Sequence, residues 1–418
     1  MRRRALLALP ALLLTRCTGA ANGGTPFTFA NGIGTRAGGP NLAFYAQADG
    51  GFTRATARNW VQPATVVDGL SRNDDIFPAT PIPAGTPAPW RRAASEPAIG
   101  YEGAAVLGGG RYDIDGYLDR NPATGLLIAK GDTILVERYQ YARTPSHRFA
   151  SFSMAKTVTA LLVGIAQAEG AIGSLDAPAS AHVPGLAGTE YGATPLRHLL
   201  TMSSGVQFRE EYDGNDDNAI LGRNTLFRAS AGGPAALAPF NTRIAAPGAR
   251  FYYASSETYV LALVLRAALG RALSAVLAER VWAPMGAEAT ASWLTDAAGT
   301  ELGYMGVNAV LRDYARLGLL MARGGATPSG RQAVPEAWVA AMTRAHVAQA
   351  TRFYGYGYQT WIFPDRESFA LQGVRGQVIF VHPRSQLVMA HTAVRPSSRD
   401  QGGADAVALW NGVRRAVG

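Results

Sequence analysis

Lysine is almost missing from this chain. Only Lys130 and Lys156 occur among 39 basic residues, so the other 37 are arginine. Cysteine occurs once, as Cys17. A disulfide scaffold and a cysteine-built metal cluster are thereby excluded. After the first 21 residues no apolar run reaches the ~18 residues of a membrane helix, which leaves a soluble or merely anchored mature protein. The 418 residues carry a net charge of +9. The positive residues are scattered rather than clustered, and a nucleic-acid face needs clustered charge, so no nucleic-acid partner is expected. With 48% hydrophobic residues the chain has material for a proper core and is not disordered throughout.

Residues 1–21 begin with Arg2, Arg3 and Arg4, continue with an apolar run from Ala5 to Leu14, and end in small residues. That order is a signal for export to the periplasm or beyond. Cys17 sits where a bacterial lipoprotein carries its lipid-modified cysteine; cleavage after Ala20 or Ala21 is the alternative. A membrane contact is expected only through such an anchor. Residues 22–98, rich in Gly, Pro, Thr and Ala, read as an extension with a proline-rich arm at 78–90. Residues 99–418 read as the main domain.

Two β-rich runs flank the turn Lys130-Gly131-Asp132. From Ser153 to about Gly170 the period becomes helical, with Val158, Leu161, Leu162, Ile165 and Ala166 on one stripe. Further helices are expected at 194–203, 256–269, 271–283, 308–323 and 335–344. Strand signals return at 355–363, 368–374, 376–383 and 386–394, and a closing helix at 404–417. The fold class is therefore α+β. Both chain ends build one antiparallel sheet flanked by helices, and residues 155–350 form an inserted, mostly helical lobe.

Several chemistries have no carrier. The six histidines make no zinc spacing such as HExxH, no serine sits in a G-x-S-x-G elbow, and no P-loop occurs. Ser153-Met154-Ala155-Lys156 is different, because it opens an apolar helix. Residues three apart share a helix face. A helix start offers free N–H groups to a developing oxyanion. A lysine on the inner face of an apolar helix is costly unless its depressed pKa has a use, such as that of a base. The bland alternative is an N-cap serine beside a snorkelling lysine. Two further segments stand out: Phe251-Tyr252-Tyr253-Ala254-Ser255 ahead of a helical run, and Gly373-Val374-Arg375-Gly376-Gln377 ahead of a strand.

In this order the three elements resemble the serine β-lactamase and penicillin-binding-protein superfamily, in its class C and esterase branch. Segments 151–179, 197–213 and 308–325 are similar to the 6-aminohexanoate-dimer (nylon-oligomer) hydrolases. The resemblance covers about 60–418 and implies the β-lactamase/transpeptidase-like fold. It makes Ser153 the acylated nucleophile, Lys156 its base and Tyr253 the proton shuttle, with Tyr252 as the alternative. It places the oxyanion hole at the N–H groups of Ser153 and Gln377. Tyr212 corresponds to a mobile-loop tyrosine that closes on substrate, or else lies on the surface. Asn308 is a pocket residue or the cap of the next helix. Ser255 stands in place of the asparagine of Tyr-x-Asn, and Val374-Arg375-Gly376 in place of Lys-Thr-Gly. Ser255, Arg375 and Gly376 join Tyr212 and Asn308 as expected substrate contacts, with Arg375 a partial substitute for the lost lysine. Efficient β-lactamase activity is not expected. The acidic run 210–217 lacks the order of a calcium loop and reads as a solvated face.

The resulting expectation is an exported serine hydrolase for a small-molecule ester or amide, with no cofactor and no metal. A homodimer is left open. The alternative is a penicillin-binding-like envelope protein or D-amino-acid peptidase with slow turnover.

Overall fold

A computed structural model of the chain describes residues 25–45, 47–48, 51–398, 400 and 402–418. The leader and Cys17 lie outside the described residues.

The larger sheet has ten strands and is built from both ends of the chain. Thr133–Tyr139, Ala123–Lys130, Leu387–Ala393, Gln377–His382, Phe369–Gly373, Trp361–Ile362 and Gly355–Tyr356 follow one another across it, every neighbour antiparallel. The hairpin at residues 123–139 turns at Gly131, whose φ of 53° suits glycine. Ile33–Thr35 and Arg91–Arg92 then pair with Thr133–Tyr139 in parallel, which the antiparallel expectation did not include. They cover an edge that would otherwise present unpaired N–H and C=O groups.

A second, four-stranded sheet runs Arg148–Ala150, Val307–Val310, Ala291–Leu294, Ala79–Ile82. The helix expected at 308–323 therefore begins only at Leu311. Residues 307–310 are buried strand, and the β-branched Val307 and Val310 suit that role. The segment read as one strand at 355–363 is two short strands joined across residues 357–360. Residues 25–98 thus give strands to both sheets. They also give Tyr45, whose hydroxyl donates to the Val394 carbonyl at 2.6 Å.

The helix Met154–Ala168 is buried over its first three turns and packs against the helix Ser255–Leu269 and the strands Phe369–Gly373 and Gln377–His382. Gly164 lets Trp338 close on it. A Cβ there would stand 2.1 Å from the indole, and Trp338 Nε1 donates to the Ala160 carbonyl at 2.9 Å. The start of the helix that carries Ser153 at its N-cap is thus held between sheet and helical lobe.

Candidate active site

Ser153 is the N-cap of the Met154–Ala168 helix, but its hydroxyl makes no cap hydrogen bond. Instead it accepts from Lys156 Nζ at 2.8 Å. The bland alternative of a capping serine and a snorkelling lysine does not hold, because Lys156 is only 1% exposed. Its Nζ has two further acceptors, Ser255 Oγ at 3.0 Å and the Tyr304 carbonyl at 3.2 Å. Burial lowers the Lys156 pKa to about 8, and Glu210 acts against that shift.

The Ser255 hydroxyl donates to Glu210 Oε1 at 2.8 Å, so toward Lys156 its oxygen can only accept. A carbonyl also only accepts. A neutral Lys156 has two N–H groups and one lone pair. With both N–H groups given to Ser255 and Tyr304, the lone pair faces the Ser153 hydroxyl. The arrangement can take a proton from Ser153 and from nowhere else among the three contacts.

Tyr253 stands beside this pair. Its ring centroid is 4.8 Å from Lys156 Nζ, and the Ser153 side chain is among the groups that act on its hydroxyl. The ring stacks on Trp361 at 5.4 Å and meets Tyr356 edge-on at 6.3 Å. Burial, then Glu210, hold its hydroxyl far above the ordinary tyrosine value, so it stays a neutral donor. Tyr252, the alternative, is tied elsewhere. Its N–H donates to the Met202 carbonyl and Arg250 lies over its ring.

Glu210 is the residue that sequence reasoning missed. The acidic run was read as a solvated face, yet Glu210 turns inward. Its Oε2 accepts the Ser255 N–H at 2.6 Å, at the start of the Ser255–Leu269 helix, where a carboxylate is favoured. Tyr212 donates to its Oε1 at 2.7 Å and is half-buried. Tyr212 has a φ of 57°, and its N–H and that of Glu211 both donate to the buried Asp216 at 2.6 Å. Asp216 also caps the helix Asp217–Asn224. The run is folded around its own carboxylates, and this turns Tyr212 toward the site. Tyr304 was missed for another reason: it acts through a carbonyl, which leaves no mark in a sequence.

Phe152, directly before Ser153, has a φ of 44°. A bulky residue there costs on the order of 1–3 kcal/mol and persists only where its surroundings fix it. One such neighbour is Gly373, the last residue of the strand Phe369–Gly373. A Cβ on it would stand 2.3 Å from the Ser151 carbonyl oxygen and 3.0 Å from Phe152 Cβ.

Four expected contacts move. Gln377 lies on the next strand in, paired behind Gly373, and its side chain bonds the backbone of Ala393. The strand end that lies against Ser151 and Phe152 is Gly373, followed by Val374. Arg375 and Gly376 form the hairpin turn, both at positive φ. The Arg375 guanidinium donates to the carbonyls of Arg395 and Pro396 at 2.8 and 2.9 Å and is spent on that loop. The Gly376 carbonyl accepts from His391. Asn308 neither lines the site nor caps a helix. It is buried in the small sheet and donates to the Gly306 carbonyl and Ser292. Ser255 is in the site but binds Lys156 and Glu210 rather than open space. Among the described residues no group of three His, Cys, Asp or Glu is placed to hold a metal.

The Beta-lactamase family matches residues 113–411. The 6-aminohexanoate-dimer hydrolase of Paenarthrobacter ureafaciens is 26% identical over 378 residues, which cover 87% of this chain and 94% of that enzyme. A candidate 6-aminohexanoate-dimer hydrolase from Bacillus anthracis superposes with a TM-score of 0.76 at 19% identity, over 87% of this chain and 99% of that one. EstCE1, a hydrolase with promiscuous acyltransferase activity, superposes at 0.58 and 18% identity, over 70% of this chain and 94% of that one.

Proposed function

The chain belongs to the Beta-lactamase family, and on that premise we propose that it is a serine hydrolase that cleaves a short linear amide or ester through an acyl-enzyme on Ser153. The observation that carries the reading is the hydrogen-bond direction around Lys156, which leaves its lone pair for the Ser153 hydroxyl alone.

In this reading neutral Lys156 takes the proton of Ser153 as Oγ attacks the substrate carbonyl. The oxyanion is held by the N–H groups of Ser153 and Val374; one such donor is typically worth 10²–10³ in rate. Tyr253, kept neutral, gives its proton to the leaving nitrogen or oxygen and is reprotonated by the Lys156 ammonium. The carbon–nitrogen or carbon–oxygen bond then breaks, leaving the acyl group on Ser153. Water then attacks the ester, its proton relayed through Tyr253 to Lys156; as the carbon–Oγ bond breaks, Lys156 returns a proton to Ser153 Oγ and the acid leaves. Glu210 touches no substrate in this scheme and acts as a positioning residue.

The similarity to a 6-aminohexanoate-dimer hydrolase over nearly its whole length supports an amide of short amino-acid-like units. Ester cleavage on the same scaffold is the competing outcome. β-Lactamase activity is disfavoured, because Leu371 and Gln372 precede Gly373 where a Lys-Thr-Gly strand carries its lysine. The only other lysine, Lys130, donates to the Val417 carbonyl near the chain's end. Export rests on residues 1–21 and is tested by N-terminal sequencing of the mature protein.

Initial rates on three substrates test the reading: a short-chain p-nitrophenyl ester, the linear 6-aminohexanoate dimer and a chromogenic cephalosporin, with Ser153→Ala as blank. Dimer cleavage lost in the variant supports the amidase, ester cleavage alone the esterase. Turnover that persists in the variant overturns both.

A further inference from the structure

Trp60 lies well ahead of the family-matched stretch, in the segment 22–98 read as an extension. Its ring is stacked on Phe152, with centroids 5.7 Å apart and planes 27° apart. Both side chains are buried, Trp60 at 8% and Phe152 at 9% exposure. Phe77 backs Trp60 edge-on at 5.4 Å. The Trp60 backbone is fixed as well. Its carbonyl rests on Gly69, where a Cβ would stand 2.1 Å from the oxygen. The next residue, Leu70, accepts the Ala150 N–H at 2.9 Å, three residues before the nucleophile.

Phe152 therefore sits between two surfaces. Gly373 presses on its backbone side and Trp60 covers its ring. Its left-handed backbone sets the direction in which the chain enters the helix, and so where Ser153 Oγ stands relative to Lys156 Nζ. The fold alone does not require this contact, since a loop residue can bury its ring in many ways. A strained φ at this one position needs something to hold it.

We propose that Trp60 is a positioning residue for the nucleophile, and that the segment ahead of the catalytic domain is part of the catalytic apparatus through its stack on Phe152. This rests on Ser153 being the nucleophile. A misplacement of about 1 Å at a reacting group typically lowers rate about 10²-fold.

The experiment uses the full chain and a fluorescent serine-directed phosphonate, with the rate of Ser153 labelling read beside kcat and KM for a p-nitrophenyl ester. Trp60→Ala and Trp60→Leu are expected to slow labelling and kcat by about 10- to 100-fold with KM changed less than about threefold. Trp60→Phe, which keeps a ring on Phe152, is expected to retain most of the rate. Trp60→Leu keeps apolar bulk, so it separates lost stacking from lost folding. The strain is tested by repeating Trp60→Ala in a Phe152→Gly background, where a left-handed residue needs no support. There the further loss is expected to be less than about twofold. Wild-type labelling rates in Trp60→Ala and Trp60→Leu overturn the proposal, as does a loss undiminished in the Phe152→Gly background. Wild-type protein that takes no label at Ser153 overturns the serine-hydrolase reading itself, and this inference with it.

Discussion

Ser255 holds Lys156 rather than the substrate: its oxygen accepts from Nζ at 3.0 Å while its proton goes to Glu210 at 2.8 Å. The direction of that short chain of bonds is fixed by the carboxylate at its end. In the proposed mechanism it turns a serine in a position expected to bind substrate into part of the base. Ser255→Ala is expected to lower kcat about 10- to 100-fold with KM changed less than about twofold. Steady-state kinetics on a p-nitrophenyl ester check this; a raised KM at unchanged kcat would place Ser255 on the substrate.

In the proposed mechanism Glu210 sets the pH at which Lys156 acts as a base. Lys156 must be neutral to act, so activity rises as pH climbs through its pKa, which burial brings down to about 8. The Glu210 charge favours the ammonium and holds that value up. Glu210→Gln removes the charge, so the rising limb of kcat/KM moves to lower pH. The maximal rate falls as well, because the carboxylate's bonds to Ser255 are weakened. A limb that moves to higher pH, or stays, contradicts the assignment.

Tyr253 is assigned to the leaving group. An amine leaves poorly unless protonated, whereas p-nitrophenolate needs little help. Tyr253→Phe is expected to cost about 10²–10⁴ in amide cleavage and markedly less in p-nitrophenyl ester cleavage. Equal losses on both would move Tyr253 from proton transfer to positioning.

Arg375 is expected to matter for stability and not for substrate. Its guanidinium bonds the carbonyls of Arg395 and Pro396. Arg375→Ala should leave kcat/KM within about twofold, even for an anionic substrate, and lower the melting temperature, since hydrogen bonds to a charged group contribute about 1.5–3 kcal/mol. A selective loss on anionic substrates would return Arg375 to the pocket.

Glu257 ties stability to pH. It is fully buried in the first turn of the Ser255–Leu269 helix, its Oε1 accepts from the Ser204 hydroxyl at 2.6 Å, and its Oε2 has no hydrogen-bond partner. Burial raises its pKa to about 8. In the unfolded chain the same group titrates near ~4.3. The fold therefore carries no penalty from Glu257 below pH ~4 and loses stability as pH rises from there through about 8. Glu257→Gln cannot ionise and should flatten that decline. Melting curves from pH 5 to 9 check it; parallel curves for both proteins contradict it.

The pairing of Ser153 with Lys156 at a helix start and the sheet strands were legible because each leaves a periodic mark. An apolar stripe with one inward lysine is a contradiction that only function resolves, and Lys156 is that residue. Tyr253 and Tyr212 were legible through resemblance rather than pattern. Glu210 was not, because its inward turn depends on Tyr212 taking a left-handed backbone over Asp216, and an acidic run reads as solvated. The contribution of Tyr304 is a carbonyl and carries no side-chain signal. Around residues 373–377 the run of apolar residues after Gly376 marked a strand correctly. The hairpin turn, however, falls on Val374, Arg375 and Gly376 themselves, so Gln377 starts the following strand. A shift of a few residues at a turn thus moved the proposed oxyanion donor from Gln377 to Val374, although both strands were placed well.

The account stands on Ser153 as the acylated residue. Its most direct test is mass spectrometry of the full chain after reaction with a serine-directed phosphonate, followed by digestion to locate the adduct. One equivalent on Ser153, with no adduct in Ser153→Ala and slow labelling in Lys156→Ala, is the predicted result. An adduct on another residue, or labelling of Ser153 that is indifferent to Lys156, would contradict it.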